Sequence, residues 1–156
     1  MRITRMLTMF AAVAVVGSCS DNSTGIPAGL EVYTATLNGA NEAPTAVTTT
    51  ATGHAVVTVL GDSVVSWEVI VDSPIDSIIA GHIHRRAADS SAGNVQVSFN
   101  PPATGVGFTG TATIGSSAPA GTLDSIFAIM RAGRAYVNIH TKKNPGGEIR
   151  GTLVKQ

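Results

Sequence analysis

The chain has 156 residues, a formal charge of zero and a charged fraction of 13%, against about 25% in an average globular chain. That length suits one domain around one core, and nothing in the charge balance draws the chain to nucleic acid. Frequent Val, Ile and Thr, Gly-rich punctuation and few long helix-forming side chains point to an all-β class.

At the N-terminus Arg2 and Arg5 precede an apolar stretch from Met6 to Gly17, about a dozen residues and too short to span a bilayer as a stable helix. Val16-Gly17-Ser18-Cys19 follows, which resembles the lipobox of bacterial lipoproteins: an aliphatic residue, two small ones, then the cysteine whose sulfur receives the lipid. Cys19 is the only cysteine, so no intramolecular disulfide competes for it. The expected organisation is a cleaved lipoprotein signal peptide over residues 1–18, a lipidated tether over 19–29 and one β domain over 30–156. Cleavage removes two of the ten basic residues and leaves eight against ten acidic, a net charge of −2. The resemblance implies a membrane-lipid partner at Cys19 and a place in the cell envelope. Ser20 after the cysteine, rather than Asp, implies the outer membrane if the host is diderm.

The domain opens with alternation over Leu30–Leu37, which stops at Asn38-Gly39. A loop over Gly39–Thr52 leads into a hairpin with strands near His54–Leu60 and Val64–Val71, joined by Gly61-Asp62. Val65, Trp67, Val69 and Val71 share one face of the second strand, which assigns the single tryptophan to the core. Further strands are expected at Ile78–His84, Asn94–Phe99, Gly107–Ile114, Ala135–Thr141 and Glu148–Val154. One segment breaks the pattern: Leu123, Ile126, Phe127 and Met130 recur at helical spacing, with Asp124 in the first turn and Gly133 past the end. It predicts a short amphipathic helix from Thr122 to Ala132. The whole reads as a Greek-key β-sandwich or barrel of about 7–9 antiparallel strands with one short helix.

Chemistry concentrates in two strands. In Gly81-His82-Ile83-His84-Arg85 the spacing of two points both imidazoles to one face, with Ile83 opposite. In Tyr136-Val137-Asn138-Ile139-His140-Thr141 the same rule groups Tyr136, Asn138 and His140. If the strands are neighbours, His82, His84 and His140 form a three-nitrogen site suited to copper or zinc, with Glu42 as a candidate oxygen ligand. The competing reading is that the imidazoles hydrogen-bond Glu42, Asn138 or Glu148 and fix the loops. Glu148 and Arg150 share a strand face and join Asn138 in an expected polar network, Arg150 anchoring on Glu42 or Asp124. His54, alone on its strand, is expected at the surface.

From Tyr33 to Leu153 the chain resembles the CHRD domain, a module widespread in bacterial secreted proteins. The resemblance rests on Asn41-Glu42-Ala43-Pro44, Gly53, Gly81-His82-Ile83-His84, Gly93 with Val95 and Val97, Gly133, Tyr136 to Thr141, and Pro145-Gly146-Gly147-Glu148-Ile149-Arg150-Gly151. It implies a β-sandwich or Greek-key fold and supplies no substrate, since the family has no generally established activity. Arg85-Arg86 departs from it, where small residues more often follow the histidine pair.

No nucleophile stands in a recognisable elbow and no Gly-rich loop opens a helix to cradle phosphate, so the inventory leans against an enzyme. The leading expectation is a non-enzymatic, membrane-anchored extracytoplasmic module that binds a protein or glycan partner or serves structurally, with no certain cofactor. The alternative is a small copper or zinc protein built on His82, His84 and His140, with redox chemistry as its further reach.

Overall fold

The computed structural model describes residues 29–60, 64–73, 75, 77–86, 92–103, 107–113 and 122–156. The expected signal peptide, Cys19, nearly all of the expected tether and the Gly61-Asp62 turn lie outside the described residues. Nine strands are described: β1 Leu30–Asn38, β2 Thr52–Leu60, β3 Val64–Val71, β4 Ile78–Arg85, β5 Val95–Phe99, β6 Gly107–Thr113, β7 Ala135–Thr141, β8 Ile149–Thr152 and β9 Val154–Lys155. Among the described residues there is one α-helix, α1, at Thr122–Arg131 between β6 and β7. Among the described residues no helix is long and apolar enough to cross a membrane.

All pairings are antiparallel, in the order β5-β4-β7-β8-β1-β2-β3-β6, with β9 continuing beside β1. β1, β2 and β3 form a meander in which Ala55 opposes Val69, Val57 opposes Trp67 and Val59 opposes Val65, all facing inward. β7 and β8 return between β4 and β1, the crossover that separates a Greek key from a simple meander. The sheet curls until its outer strands nearly meet. Phe99 of β5 stands 5.7 Å from Phe108 of β6, and Trp67 stacks on Phe99 at 4.8 Å. Of sandwich and barrel, the molecule takes the nearly closed barrel, and Trp67 helps fill it. Gly110 of β6 makes this fit, since a Cβ there would lie 2.4 Å from Cζ2 of the indole.

Helix α1 buries Ile126, Phe127, Ile129 and Met130. Its end is set by Gly133, expected from the sequence just past the helix, at φ +65, with Gly133 N–H donating to Met130 O and Arg134 N–H to Ile129 O, a Schellman arrangement. Arg131 and Lys155 both reach Glu31. The hydrogen bond from Arg131, followed by those from Tyr33 and Lys155, holds the Glu31 carboxyl down at about 2.

Strand positions match the sequence pattern closely, with one correction at the C-terminus. The segment expected as one strand from Glu148 to Val154 is two, because Leu153 turns inward, is 1% exposed and donates its N–H to Ala135 O between β8 and β9.

Candidate metal-binding site

Antiparallel register sets the site. His82 opposes Asn138, His84 opposes Tyr136 and Ala80 opposes His140, while Asn138 in turn opposes Arg150 of β8. Alternation sends Ile83, Val137, Ile139 and Ile149 into the barrel and leaves the polar side chains on its outer face. That face is nevertheless covered: Tyr136, Asn138, His140, His84 and Arg150 are all buried there. The covers are the segment after β1 and the turn before β8. Asn38 caps a 3-10 turn, Gly39–Asn41, by accepting from Asn41 N–H, and the Asn41 side chain donates to Arg150 O at 3.0 Å. Glu42 is thereby laid on Asn138, whose Nδ2 donates to Glu42 Oε2 at 3.3 Å.

The sequence expectation that three imidazoles converge is met. One nitrogen from each of His82, His84 and His140 lies within 4.8 Å of the others. Glu42 is not in that group; its carboxyl belongs to Asn138. The tautomers follow from the partners. His84 Nδ1 donates to Gly93 O at 2.9 Å and His140 Nδ1 donates to Pro145 O at 3.0 Å, because a carbonyl can only accept. Both rings therefore present an Nε2 lone pair. That of His84 is buried without a hydrogen-bond partner, and that of His140 lies 3.0 Å from His82 Nδ1. Burial pushes the His82 imidazole down to about 4, aided by His140 and His84 beside it. Burial likewise holds His84 and His140 below their ordinary value, against the opposing pull of the carbonyls. All three are neutral at pH 7, the form that ligates metal.

A stack supports His84 from behind. Tyr136 lies parallel to its ring, 4.9 Å away at 5°, and the Arg150 guanidinium lies over the Tyr136 ring at 3.5 Å. Burial pushes the Tyr136 hydroxyl above its ordinary value, against the pull of the Arg150 charge and the Gly93 backbone. Glu42 acts on Arg150 electrostatically, whereas the Asp124 side chain lies outside the described residues. Glu148 does not join Arg150. It precedes β8 and accepts from the Thr49 and Thr141 hydroxyls. Burial opposes its ionisation, but those bonds outweigh burial and hold its carboxyl below the ordinary range. His54 is exposed beside Asp72, as expected of a surface residue. Sequence reasoning missed the Gly93 and Pro145 carbonyls and the role of Tyr136. Only Tyr136 left a signal, its shared parity with Asn138 and His140.

Burial pushes the Glu42 carboxyl up to about 7, overcoming the Asn138 hydrogen bond and the Arg150 charge. Glu42 Oε1 and Asn138 Oδ1 are both buried acceptors without a donor, and a proton on the carboxyl supplies one. The folded value lies above the unfolded 4.5, so this contribution is complete below pH 4.5 and is lost as pH rises through 7. Glu42→Gln carries a permanent donor. In denaturant melts it should match the parent at pH 4 and exceed it at pH 8 by about 2–3 kcal/mol. A variant less stable than the parent at pH 8 would refute a neutral Glu42.

The CHRD domain model matches residues 33–153. The chain belongs to the CHRD family. No curated protein and no solved structure matches it. The matched segment of this CHRD domain contains all three histidines, both covering segments and the Tyr136–Arg150 stack.

Proposed function

We propose that this CHRD domain is a non-enzymatic binding module, carried outside the cytoplasm on a lipid anchor at Cys19, and that it binds one copper or zinc ion through His82, His84 and His140. One observation carries the metal reading: two buried imidazoles are each locked by a backbone carbonyl through Nδ1, leaving the Nε2 of His140 against His82 and the Nε2 of His84 buried with no hydrogen-bond partner, within one cluster of three rings. Carbonyl-oriented histidines are the usual supports of a metal centre. Three ligands at about 2.0–2.1 Å from a tetrahedral ion stand about 3.4 Å apart. The 3.0 Å pair of His82 Nδ1 and His140 Nε2 already has nearly that spacing, and a pair at the 4.8 Å limit must close by about 1.4 Å. Bound metal would replace the proton shared by His82 and His140, and the His82 proton would move to its other nitrogen. The half-buried edge of His82 leaves a route for the ion and for a fourth ligand.

The anchor reading rests on Val16-Gly17-Ser18-Cys19 and the apolar stretch before it. Labelling with a radioactive fatty acid tests it: Cys19→Ser should lose the label.

For the metal, the full-length protein would be freed of metal and melted with and without zinc or copper. At a thousandfold excess over Kd the gain is about 4 kcal/mol, roughly 10 °C. An unchanged melt at saturating metal would leave the histidines with a structural role alone.

A further inference from the structure

The three imidazoles are held unequally. His84 and His140 are each 8% exposed, and each is fixed through Nδ1 by a carbonyl, of Gly93 and of Pro145. His84 is also stacked parallel to Tyr136. His82 has neither support. It is half-buried, among the described residues its one hydrogen bond goes to His140, and its ring meets the other two edge-on. The strand register accounts for this. On the β7 side His82 lies across from the buried Asn138, which Glu42 covers. On the other side it lies across from Ser98 of β5, the last strand in the sheet order and exposed at this residue. Opposed residues of antiparallel strands share a face, with about 5 Å between their Cβ atoms, so the flank of His82 above Ser98 is open to an arriving group. His82 also has somewhere to go without metal: its Nδ1 returns to His140 Nε2 at 3.0 Å. His84 has no such alternative, since its Nε2 is left buried without a hydrogen-bond partner. Unpaired burial of a polar atom is costly, so His84 has more to lose by letting go.

We propose that His82 is the exchange ligand of this centre: the ion leaves by substitution, an acceptor with nitrogen or sulfur donors binding it over Ser98 as the His82 bond breaks, with His84 and His140 releasing it last. The inference rests on the three-histidine metal reading. The bond that forms joins the acceptor's donor atom to the metal, and the bond that breaks joins the metal to His82 Nδ1. The imidazole proton then moves back to Nδ1 through solvent and restores the hydrogen bond to His140. No electron is transferred. Such a centre keeps its ion while no acceptor is present and yields it on encounter, as a carrier does and a purely structural site does not.

A zinc titration of the full-length protein comes first: no uptake by the parent would overturn the metal reading and this inference together. With uptake established, the zinc-loaded protein is mixed in stopped flow with rising concentrations of the coloured chelator pyridylazoresorcinol. The transfer rate should climb in proportion to the chelator, a result that needs no substitution. His82→Ala should still hold zinc, with about tenfold less loss of affinity than His84→Ala or His140→Ala, and should surrender it to the chelator about tenfold faster than the parent. A rate independent of chelator concentration would mean that the ion leaves before the acceptor arrives, and would overturn the exchange role while leaving the metal centre standing. So would a His82→Ala variant that loses as much affinity as the other two, or one that transfers zinc no faster than the parent.

Discussion

Alanine in place of His84 or His140 is expected to abolish the metal-dependent rise in melting temperature while leaving the metal-free domain folded. Each substitution removes one of three ligands, and affinity should fall by at least about 100-fold, since loss of a mere supporting residue already costs about 10–100-fold. The cost to the metal-free protein should be smaller. His84 makes one hydrogen bond, to Gly93, and leaves its Nε2 buried and unsatisfied, so its removal trades a lost contact against a relieved polar atom. A loss of about 1–2 kcal/mol is expected. If the imidazoles served only to fasten loops, the ordering would reverse. The variants would be strongly destabilised without metal, and the parent would gain nothing from it. Melting curves of parent and variants with and without zinc separate the two cases.

Gly147→Ala should destabilise the domain by about 3 kcal/mol and weaken metal binding at the same time. The residue sits at φ +134, a conformation closed to L side chains, and strain alone there is worth about 1–3 kcal/mol. A Cβ would also lie 2.5 Å from Asn138 Nδ2 and 2.7 Å from Glu42 Oε1, both in the buried polar layer. The turn that must move to relieve this carries Pro145, whose carbonyl orients His140. Strain at residue 147 is thereby transmitted to a candidate ligand with which it has no direct contact. Urea denaturation gives the stability change, and a zinc titration of the folded variant should show affinity reduced about tenfold or more. Loss of stability with metal affinity unchanged would separate the turn from the site.

The inward-facing residues of β3, the grouping of His82 with His84, and the parity of Tyr136, Asn138 and His140 were all legible in the sequence, because side-chain period in a strand is strict. The same logic carried the helix, since Ile126, Phe127 and Met130 cannot share a face at any other period and Gly133 ends the run. What pattern could not supply was which strands are neighbours. That β4 lies beside β7 is a long-range pairing, and the three imidazoles meet only because of it. Glu42 illustrates the same limit. Its chemistry suits a ligand, but the Asn38 cap and the Asn41 side chain hold its segment on β8 and deliver the carboxyl to Asn138 instead. The carbonyls of Gly93 and Pro145 left no trace at all, because every residue carries one and only the fold decides which is aimed at a ring. The break at Leu153 was hidden for a related reason: one apolar residue facing inward fits a continuous strand as well as a kink.

X-ray absorption at the zinc edge of the full-length protein, loaded with one equivalent and desalted, addresses the histidine centre most directly. One retained ion is expected, with nitrogen ligands at about 2.0–2.1 Å and outer-shell scattering from three imidazole rings. Zinc lost on desalting, or retained without imidazole scattering, would contradict it.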